Sequence, residues 1–271
     1  MGDFLISVVI PAYNESEQLC ENIKTIENVL HKHEIVHEFI IIDDGSKDNT
    51  WEMVCKLSEE VKGLRALRFS RNFGKEAALC AGLAEVRGNA CIIMDADLQH
   101  PPGLIPEMVR LWRDEGYLVV EGVKSDRGSE RAFNKFCAIA FYKILKKFSG
   151  LNLDNASDFK LLDSRVVDAW KLFRERNTFF RGLSSWVGYK RTTIPFMVAE
   201  RTSGRSKWSM LRLVKLAVNA ITAFSALPLQ LVTFMGVAFL IGSFFLGIQT
   251  LYKKFAGIAF SGFTTVILLL L

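Results

Sequence analysis

The chain has 271 residues, which is enough for one large or two modest domains. Half of the residues are hydrophobic, a high share for a soluble enzyme, while the net charge of +5 is modest and we expect no nucleic-acid partner. Five cysteines without paired spacing argue against a disulfide framework, so we expect reduced thiols and no zinc site.

Strands and helices alternate along the first part of the chain. The run 4–11 is β-branched and ends at a proline, which predicts a buried strand, and helical spacing follows over 14–32 with Asn14 as the expected N-cap. The alternation predicts a doubly wound α/β fold with a mostly parallel sheet. Further strands are predicted at 37–46, 64–70, 90–97 and 117–124, helices at 49–61, 74–86, 102–116 and 129–150, a short strand and helix over 157–170, and a strand from 191.

The C-terminal part is strongly apolar. No charged residue occurs over 216–252 or over 255–271, and the first stretch exceeds the roughly 20 residues that cross a bilayer. We predict a transmembrane region at 227–271, with a first helix at about 227–252 and a second, apparently truncated, from about 260. The segment 209–226 is predicted to be an amphipathic helix on the membrane surface. Basic residues cluster before the apolar run, so the positive-inside rule places residues 1–226 in the cytoplasm, at the inner or plasma membrane.

Polar clusters follow four of the predicted strands: "PAYNE", "DDGS", "SRNFGK" and "DADLQH". In doubly wound sheets, ligands bind beyond the carboxyl ends of the strands. The four clusters are therefore expected to converge at one edge of one sheet.

The segment "DADLQH" carries the strongest chemical signal. Asp95 and Asp97 are two residues apart at a strand end, and with the amide oxygen of Gln99 they suit Mg²⁺ or Mn²⁺. Such an ion usually binds one or two carboxylates together with substrate phosphates, so a diphosphate is the expected third party. The alternative is that these acids only cap the following loop.

Two other positions keep open alternatives. One of Asp43 and Asp44 is expected to cap the helix that starts near Asn49, and the other to accept a hydrogen bond from a nucleobase or ribose. Tyr13 is either a base-stacking residue or a core residue. We expect His31, His33 and His37 to be solvated, and His100 to be structural rather than a metal contact.

Several motifs of other enzyme classes do not occur. The sequence has no G-x-G-x-x-G, no G-x-x-x-x-G-K-[ST] and no G-x-S-x-G. These absences argue against a dinucleotide oxidoreductase, a P-loop enzyme and an α/β-hydrolase.

Five motifs in order carry a resemblance: "VVIPAYNE", "IIDDGSKDNT", "MDADLQHPP", "SDFKLLD" and "RTSGRSKWSM". They resemble the inverting family-two glycosyltransferases with a GT-A fold. More narrowly, they resemble the polyprenyl-phosphate glycosyltransferases, which include dolichol-phosphate mannose synthases and bactoprenol glucosyltransferases. The resemblance covers essentially the whole chain, with residues 1–208 as the cytosolic GT-A catalytic domain.

The resemblance implies a set of site residues. Asp97 and Asp158 are the implied catalytic residues, and Asp95, Asp97 and Gln99 the implied metal ligands. The implied donor pocket consists of Pro11, Tyr13, Glu15, Ile42, Asp44, Asp95 and Ala96. The implied acceptor and diphosphate contacts are Lys124, Arg131, Lys135, Arg201, Arg205 and Lys207.

The resemblance also implies an activity. We expect a metal-dependent transfer of glucose from UDP-glucose to undecaprenyl phosphate, by single displacement with inversion and with Mg²⁺ or Mn²⁺. The acceptor is already anionic, so little general-base help is needed, and positioning and electrostatic stabilisation dominate. The alternatives are another donor, namely UDP-N-acetylglucosamine, GDP-mannose or a UDP-linked modified arabinose, or a processive polysaccharide synthase. A homo-oligomer in the membrane is expected.

Overall fold

The computed structural model describes residues 4–124, 157–172, 180, 187–197 and 227–257. Seven strands form one sheet: β1 (Ile6–Ala12), β2 (His37–Asp43), β3 (Leu64–Arg68), β4 (Ala90–Ile93), β5 (Val119–Lys124), β6 (Lys160–Asp163) and β7 (Arg191–Phe196). The described helices are α1 (Leu19–Lys32), α2 (Thr50–Glu60), α3 (Lys75–Ala84), α4 (Ile105–Glu115), α5 (Ser164–Lys171) and α6 (Leu227–Phe255), with a 3₁₀ turn at Pro102–Leu104.

The strand order is β3-β2-β1-β4-β6-β5-β7. The first four strands in this order are parallel to one another, and we call them the parallel half. We call β6, β5 and β7 the mixed half, because β6 is antiparallel to both β4 and β5, while β5 and β7 are parallel. The predicted α/β fold with a mostly parallel sheet is therefore confirmed.

The core follows from the two-residue period of β1. Val8 and Ile10 point to one face of the sheet, where they join a buried cluster with Leu19, Ile23 and other apolar residues of α1. Val9 points to the opposite face, where Gly82 of α3 lies so close that a Cβ on this glycine would be 2.4 Å from Val9 Cγ1. Both faces of the sheet are thus covered at β1, which explains why this strand is apolar except at Ser7.

One predicted helix start is wrong. Helix α1 begins at Leu19 rather than next to Asn14, and Asn14 has a left-handed backbone with φ of 55°. The short polar side chain of Asn tolerates this conformation. Asn14 is used in a loop contact described below instead of a helix cap, and the predicted helix 129–150 lies outside the described residues.

Helix α6 belongs to a separate unit, residues 224–271, and is described by itself. It has 29 residues, and no charged residue occurs before Lys253 and Lys254 in its last turn. At 1.5 Å per residue it is about 44 Å long. Of the helices in the described ranges, α6 is the one long and apolar enough to cross a bilayer. The predicted helices at 209–226 and from about 260 lie outside the described residues.

Candidate active site

Four loops meet at the edge of the sheet where β1, β2, β3 and β4 end, which we call the carboxyl edge. The β1–α1 and β2–α2 loops are joined directly. The Asn14 backbone N–H donates to Ser46 Oγ at 2.9 Å, and Asn14 Oδ1 accepts from the Lys47 N–H at 2.9 Å. The Glu15 N–H donates to Thr50 Oγ1, also at 2.9 Å. The expected convergence of the polar clusters is therefore present in the fold.

The acids after β2 are used inside the protein. Asp44 is 3% exposed, and its two carboxylate oxygens accept from the Phe73 N–H at 2.7 Å and the Gly74 N–H at 2.9 Å. Burial raises the pKa of Asp44, against the effect of these two hydrogen bonds. Asp44 thereby fixes the loop that leads into α3. The predicted contact of Asp44 with a nucleobase or ribose stays a prediction.

The prediction that Asp43 or Asp44 caps α2 is wrong. Asp43 is fully buried, accepts from the Ser46 N–H and forms an ion pair with Arg68. Asp48 accepts the N–H and the hydroxyl of Thr50, the first residue of α2. Asn49 is the N-cap residue of α2, and Asp48 precedes it, so Asp43 lies too far from the helix start to bond there.

The segment 94–100 has a fixed backbone. Asn22 of α1 donates its side-chain N–H to the carbonyl of Ala96 at 2.6 Å, and the Asp95 N–H donates to His100 Nδ1 at 3.2 Å. His100 is 4% exposed, and its ring stacks on Phe159 at 5.1 Å. His100 therefore has the expected structural role, since it holds the backbone that carries Asp95.

The reversal of β6 brings a further acid to the carboxyl edge. Ile93 of β4 pairs with Lys160 of β6 in an antiparallel register. Asp95 comes two residues after Ile93, and Asp158 comes two residues before Lys160. Because the strands are antiparallel, this register places the two acids side by side. Asp158 is 6% exposed. The β4–β6 pairing thus explains how an acid distant in sequence reaches the segment from Asp95 to Asp97, which we call the D-x-D segment.

Lys75, the first residue of α3, joins the two acids. Its Nζ lies 2.6 Å from Asp95 Oδ1 and 2.6 Å from Asp158 Oδ2. Burial opposes the charge on this lysine, but the two carboxylates raise its pKa above the usual range. Burial likewise opposes the charge on Asp95, and Lys75 holds the pKa of Asp95 below its usual range. The three groups form one charged cluster, Asp95–Lys75–Asp158. The side chain of Lys75 is 40% exposed, so the cluster is accessible from solvent.

The oxygen donors of the D-x-D segment fit a divalent cation. Asp95 and Asp97 are both partly exposed, and the Asp97 carboxylate accepts from the Gln99 N–H at 3.1 Å. Carboxylate and amide oxygens suit Mg²⁺ or Mn²⁺ rather than a softer metal. Within the described ranges, no group of three acids, histidines or cysteines closes around this segment, so two carboxylates would need further ligands from a substrate.

The implied donor-pocket residues differ in accessibility. Tyr13 is 39% exposed beside the carboxyl edge, whereas Ile42 is fully buried and Ala96 is 4% exposed. Ile42 packs against α3, where it lies close to Gly82. Pro11 and Glu15 are partly exposed on or directly after β1. The assignment of these residues to a nucleotide pocket stays a prediction.

The implied acceptor residues are mostly outside the described ranges. Lys124 is the last residue of β5, and its backbone pairs with Phe196 of β7. It lies at the same edge of the sheet as Asp158. The residues not described are Arg131, Lys135, Arg201, Arg205 and Lys207.

Two residues of the site were not identified from the sequence. Lys75 occurs in "SRNFGK", which was recognised as an edge cluster, but no role was assigned to this lysine. Its position at the start of the predicted helix 74–86 was the available signal, whereas its contacts with Asp95 and Asp158 depend on the fold. Asn22 gave no signal, because a polar residue on a helix is ordinarily solvated, whereas here it reaches across to Ala96.

Comparison with known proteins agrees with this architecture. Residues 7–169 match the family model "Glycosyl transferase family 2". The chain is 37% identical to a prophage bactoprenol glucosyl transferase homolog of Escherichia coli over 88% of this chain and 79% of the relative. It is also 37% identical to the bactoprenol glucosyl transferase of Shigella phage SfV, over 86% of this chain and 76% of the relative.

A solved structure shows the same fold. Glucosyl-3-phosphoglycerate synthase from Mycobacterium tuberculosis, in complex with Mn²⁺, UDP-glucose and phosphoglyceric acid, superposes with a TM-score of 0.54. It has 20% sequence identity, and the match covers 80% of this chain and 77% of that one. The chain therefore belongs to glycosyltransferase family 2 and has the GT-A fold.

Proposed function

We propose that this protein transfers glucose from UDP-glucose to undecaprenyl phosphate at the surface of a membrane. The observation that carries the proposal is the convergence of Asp95 and Asp158 on Lys75 at the carboxyl edge, next to Asp97. An edge of this kind suits a sugar donor with a diphosphate. The relatives named as bactoprenol glucosyl transferases support glucose and a polyprenyl acceptor.

The metal role belongs to the oxygens of Asp95, Asp97 and Gln99. Bound Mg²⁺ or Mn²⁺ would neutralise the negative charge that develops on the leaving diphosphate. The protein's own part is to hold these oxygens in place, through the His100 and Asn22 hydrogen bonds to the backbone of the segment. The complex of the M. tuberculosis synthase with Mn²⁺ supports a divalent cation at such a site.

The acceptor chemistry needs little proton transfer. A lipid monophosphate is an anion at neutral pH and attacks the anomeric carbon directly, in one displacement with inversion. Asp158 is held by Lys75 at 2.6 Å, which suits a residue that orients the sugar or the acceptor rather than one that removes a proton. Positioning of this kind lowers the barrier because the reacting groups are already aligned.

The membrane part of the proposal rests on α6. This helix is long and apolar enough to anchor the chain in a bilayer. The basic residues Arg201, Arg205 and Lys207 would then lie on the cytoplasmic side, where they meet phosphates of the donor or acceptor. Lys124, at the end of β5, lies at the same edge as Asp158 and is assigned with Arg131 and Lys135 to the acceptor phosphate.

The test is a reconstituted transfer reaction. The purified chain in detergent is incubated with undecaprenyl phosphate and Mg²⁺ or Mn²⁺. Separate reactions contain UDP-glucose, UDP-N-acetylglucosamine, GDP-mannose or a UDP-linked modified arabinose. The lipid product is identified by mass spectrometry. We expect glucosyl phosphoundecaprenol from UDP-glucose alone, and no product after a metal chelator is added.

A matched pair of variants separates the site from general damage. Asp95→Asn with Asp97→Asn should abolish the product, whereas Asp114→Asn, an exposed acid on α4, should leave it unchanged. A lipid product that carries another sugar would overturn the donor, and full transfer by the double variant would overturn the site.

A further inference from the structure

Three possible metal ligands lie at the junction of α1 and β2, in a part of the molecule that the proposed reaction does not use. Glu27 and His31 are one helical turn apart on α1, with His31 Nε2 at 3.6 Å from Glu27 Oε1. His37, the first residue of β2, has its ring centroid 5.2 Å from that of His31. One ligand atom from each of the three residues lies within 4.8 Å of the other two.

His37 is oriented in the manner of a metal ligand. Its Nδ1 lies 2.9 Å from the carbonyl oxygen of Ile35, so Nδ1 carries the proton and donates it to this acceptor. Metal-binding histidines almost always donate their other ring N–H to a carbonyl or carboxylate in this way. The hydrogen bond fixes the tautomer and leaves the lone pair of Nε2 available.

The backbone around the three residues is fixed. The Glu34 N–H donates to the His31 carbonyl at 3.0 Å, the Ile35 N–H to the Leu30 carbonyl at 3.0 Å, and the Ile6 N–H to the Val36 carbonyl at 2.9 Å. The connection from α1 to β2 is therefore bonded both to the helix end and to β1. The ligands come from a helix and a strand, which hold a site more firmly than a free loop does.

We propose that Glu27, His31 and His37 bind a transition metal ion, of which Zn²⁺ is the best fit. Two imidazole nitrogens and one carboxylate oxygen are a donor set that suits zinc and not Mg²⁺. Bonds of about 2.0–2.2 Å in a tetrahedron separate ligand atoms by about 3.3–3.6 Å. The distance between Glu27 and His31 meets this already, and a small rotation of the exposed His31 side chain would bring it closer to His37.

The fourth position of the tetrahedron faces solvent, because the side chain of His31 is 68% exposed while that of Glu27 is 22% exposed. A water molecule would complete the coordination. The ion would then fasten the last turn of α1 to the start of β2. Such a site is distinct from the D-x-D segment in both its position in the fold and its preferred metal. The expectations that His31 and His37 are merely solvated and that the chain has no zinc site would then be wrong.

The experiment is a zinc titration of the chain, purified without a polyhistidine tag, against a chromophoric chelator. The Asp95→Asn and Asp97→Asn changes are present throughout, so that the active site does not compete for zinc. We expect one bound equivalent. His31→Ala and Glu27→Gln change partly or largely exposed side chains and should fold, and each should weaken zinc binding at least about tenfold.

The matched control is His33→Ala, which removes a nearby exposed histidine outside the cluster and should leave zinc affinity unchanged. His37→Gln keeps a polar side chain at the strand start and should also weaken binding at least about tenfold. Co²⁺ in place of Zn²⁺ should give the visible absorption of a four-coordinate ion. Absence of a bound equivalent, or equal affinity in the His31→Ala and His33→Ala variants, would overturn the proposal.

Discussion

The parallel half and the mixed half of the sheet contribute to the site in different ways. The parallel half follows a regular alternation of strand and helix, and it supplies Asp95 from the end of β4 and Lys75 from the start of α3. The mixed half supplies Asp158, which reaches the same place only because β6 runs in the opposite direction. The site is therefore built across the junction of the two halves.

The two halves also differ in how they are stabilised. In the parallel half, Val9 and Ile42 are fully buried, and the buried carboxylate of Asp43 is paired with an Arg68 side chain that is 40% exposed. The mixed half buries an ion pair between β5 and β6, in which Lys160 Nζ lies 3.2 Å from Glu121 Oε1. Desolvating two charges is expensive, so such a pair is stable only while both partners are present. We therefore expect the stability of the mixed half to be the more sensitive to the removal of one charged side chain.

The largest effect is expected from Lys160→Met. The side chains of Lys160 and Glu121 are 1% and 4% exposed, and Arg191 is 3.9 Å from the other oxygen of Glu121. Removing the lysine leaves a buried carboxylate, which should lower the free energy of unfolding by about 3–5 kcal/mol. Urea unfolding of the detergent-solubilised protein, followed by tryptophan fluorescence, measures this loss.

Two variants sharpen that result. Lys62→Met removes an exposed lysine and should change stability by no more than about 0.5 kcal/mol. Glu121→Leu combined with Lys160→Met removes both charges and should recover much of the loss. A single Lys160→Met variant as stable as Lys62→Met would contradict the idea that the mixed half depends on this ion pair.

The next largest effect is expected from Lys75→Met, which removes the cation shared by the two halves. Asp95 and Asp158 would then face each other without it, and transfer should slow about 100-fold, or about 2.7 kcal/mol. Turnover at saturating UDP-glucose measures the effect, with Lys62→Met as the control. Unfolding experiments on the same variant verify that the fold is retained.

A double-mutant cycle tests whether Lys75 acts through Asp158. Because the two side chains share one contact, Lys75→Met with Asp158→Asn should lose less activity than the product of the two single losses. Strictly multiplicative losses would mean that the two residues act independently, and the junction would then have no special role.

The sequence predicted the two halves unequally. Runs such as "SVVIP" and "FIIID" have a local pattern, so the strands of the parallel half and the D-x-D segment were found. The direction of β6 depends on pairing between Ile93 and Lys160, which no local pattern encodes. For the same reason, Asp158 was assigned by resemblance alone, and Lys75 was missed until the fold placed it between two acids.

A smaller effect is expected from Gly82→Ala in the parallel half. An added Cβ would be 2.4 Å from Val9 Cγ1 and 2.6 Å from Ile42 Cδ1. Val9 is β-branched and yields little, so overpacking of about 1–3 kcal/mol should outweigh the gain in helix propensity of about 1 kcal/mol. Gly103→Ala, with nothing within 4 Å of its added Cβ, is the control. Equal urea midpoints for the two variants would show that α3 adjusts freely on the sheet.

The smallest effect is expected from Asp163→Asn, at the end of β6. Its carboxylate accepts from the Arg165 N–H at 3.0 Å, as the cap of α5, and from Trp112 Nε1–H at 2.8 Å. Burial opposes the charge, but the hydrogen bonds from Arg165 and Trp112 hold the pKa of Asp163 below its usual range. Asn keeps an oxygen that can cap α5, but losing the charge that strengthens the hydrogen bonds from Arg165 and Trp112 should cost about 1 kcal/mol at pH 7.

The pH dependence follows from the direction of that shift. A carboxyl group with a lowered folded-state pKa stabilises the protein above its unfolded pKa of about 3.9, and the contribution disappears as pH falls through the folded value. The stability gap between wild type and Asp163→Asn should therefore be full at pH 6–7 and shrink below about pH 4. Asp168→Asn, an exposed acid on the same helix, should show no comparable gap. A gap that stays constant down to pH 3 would mean that Asp163 stabilises the β6–α5 junction through its shape and not its charge.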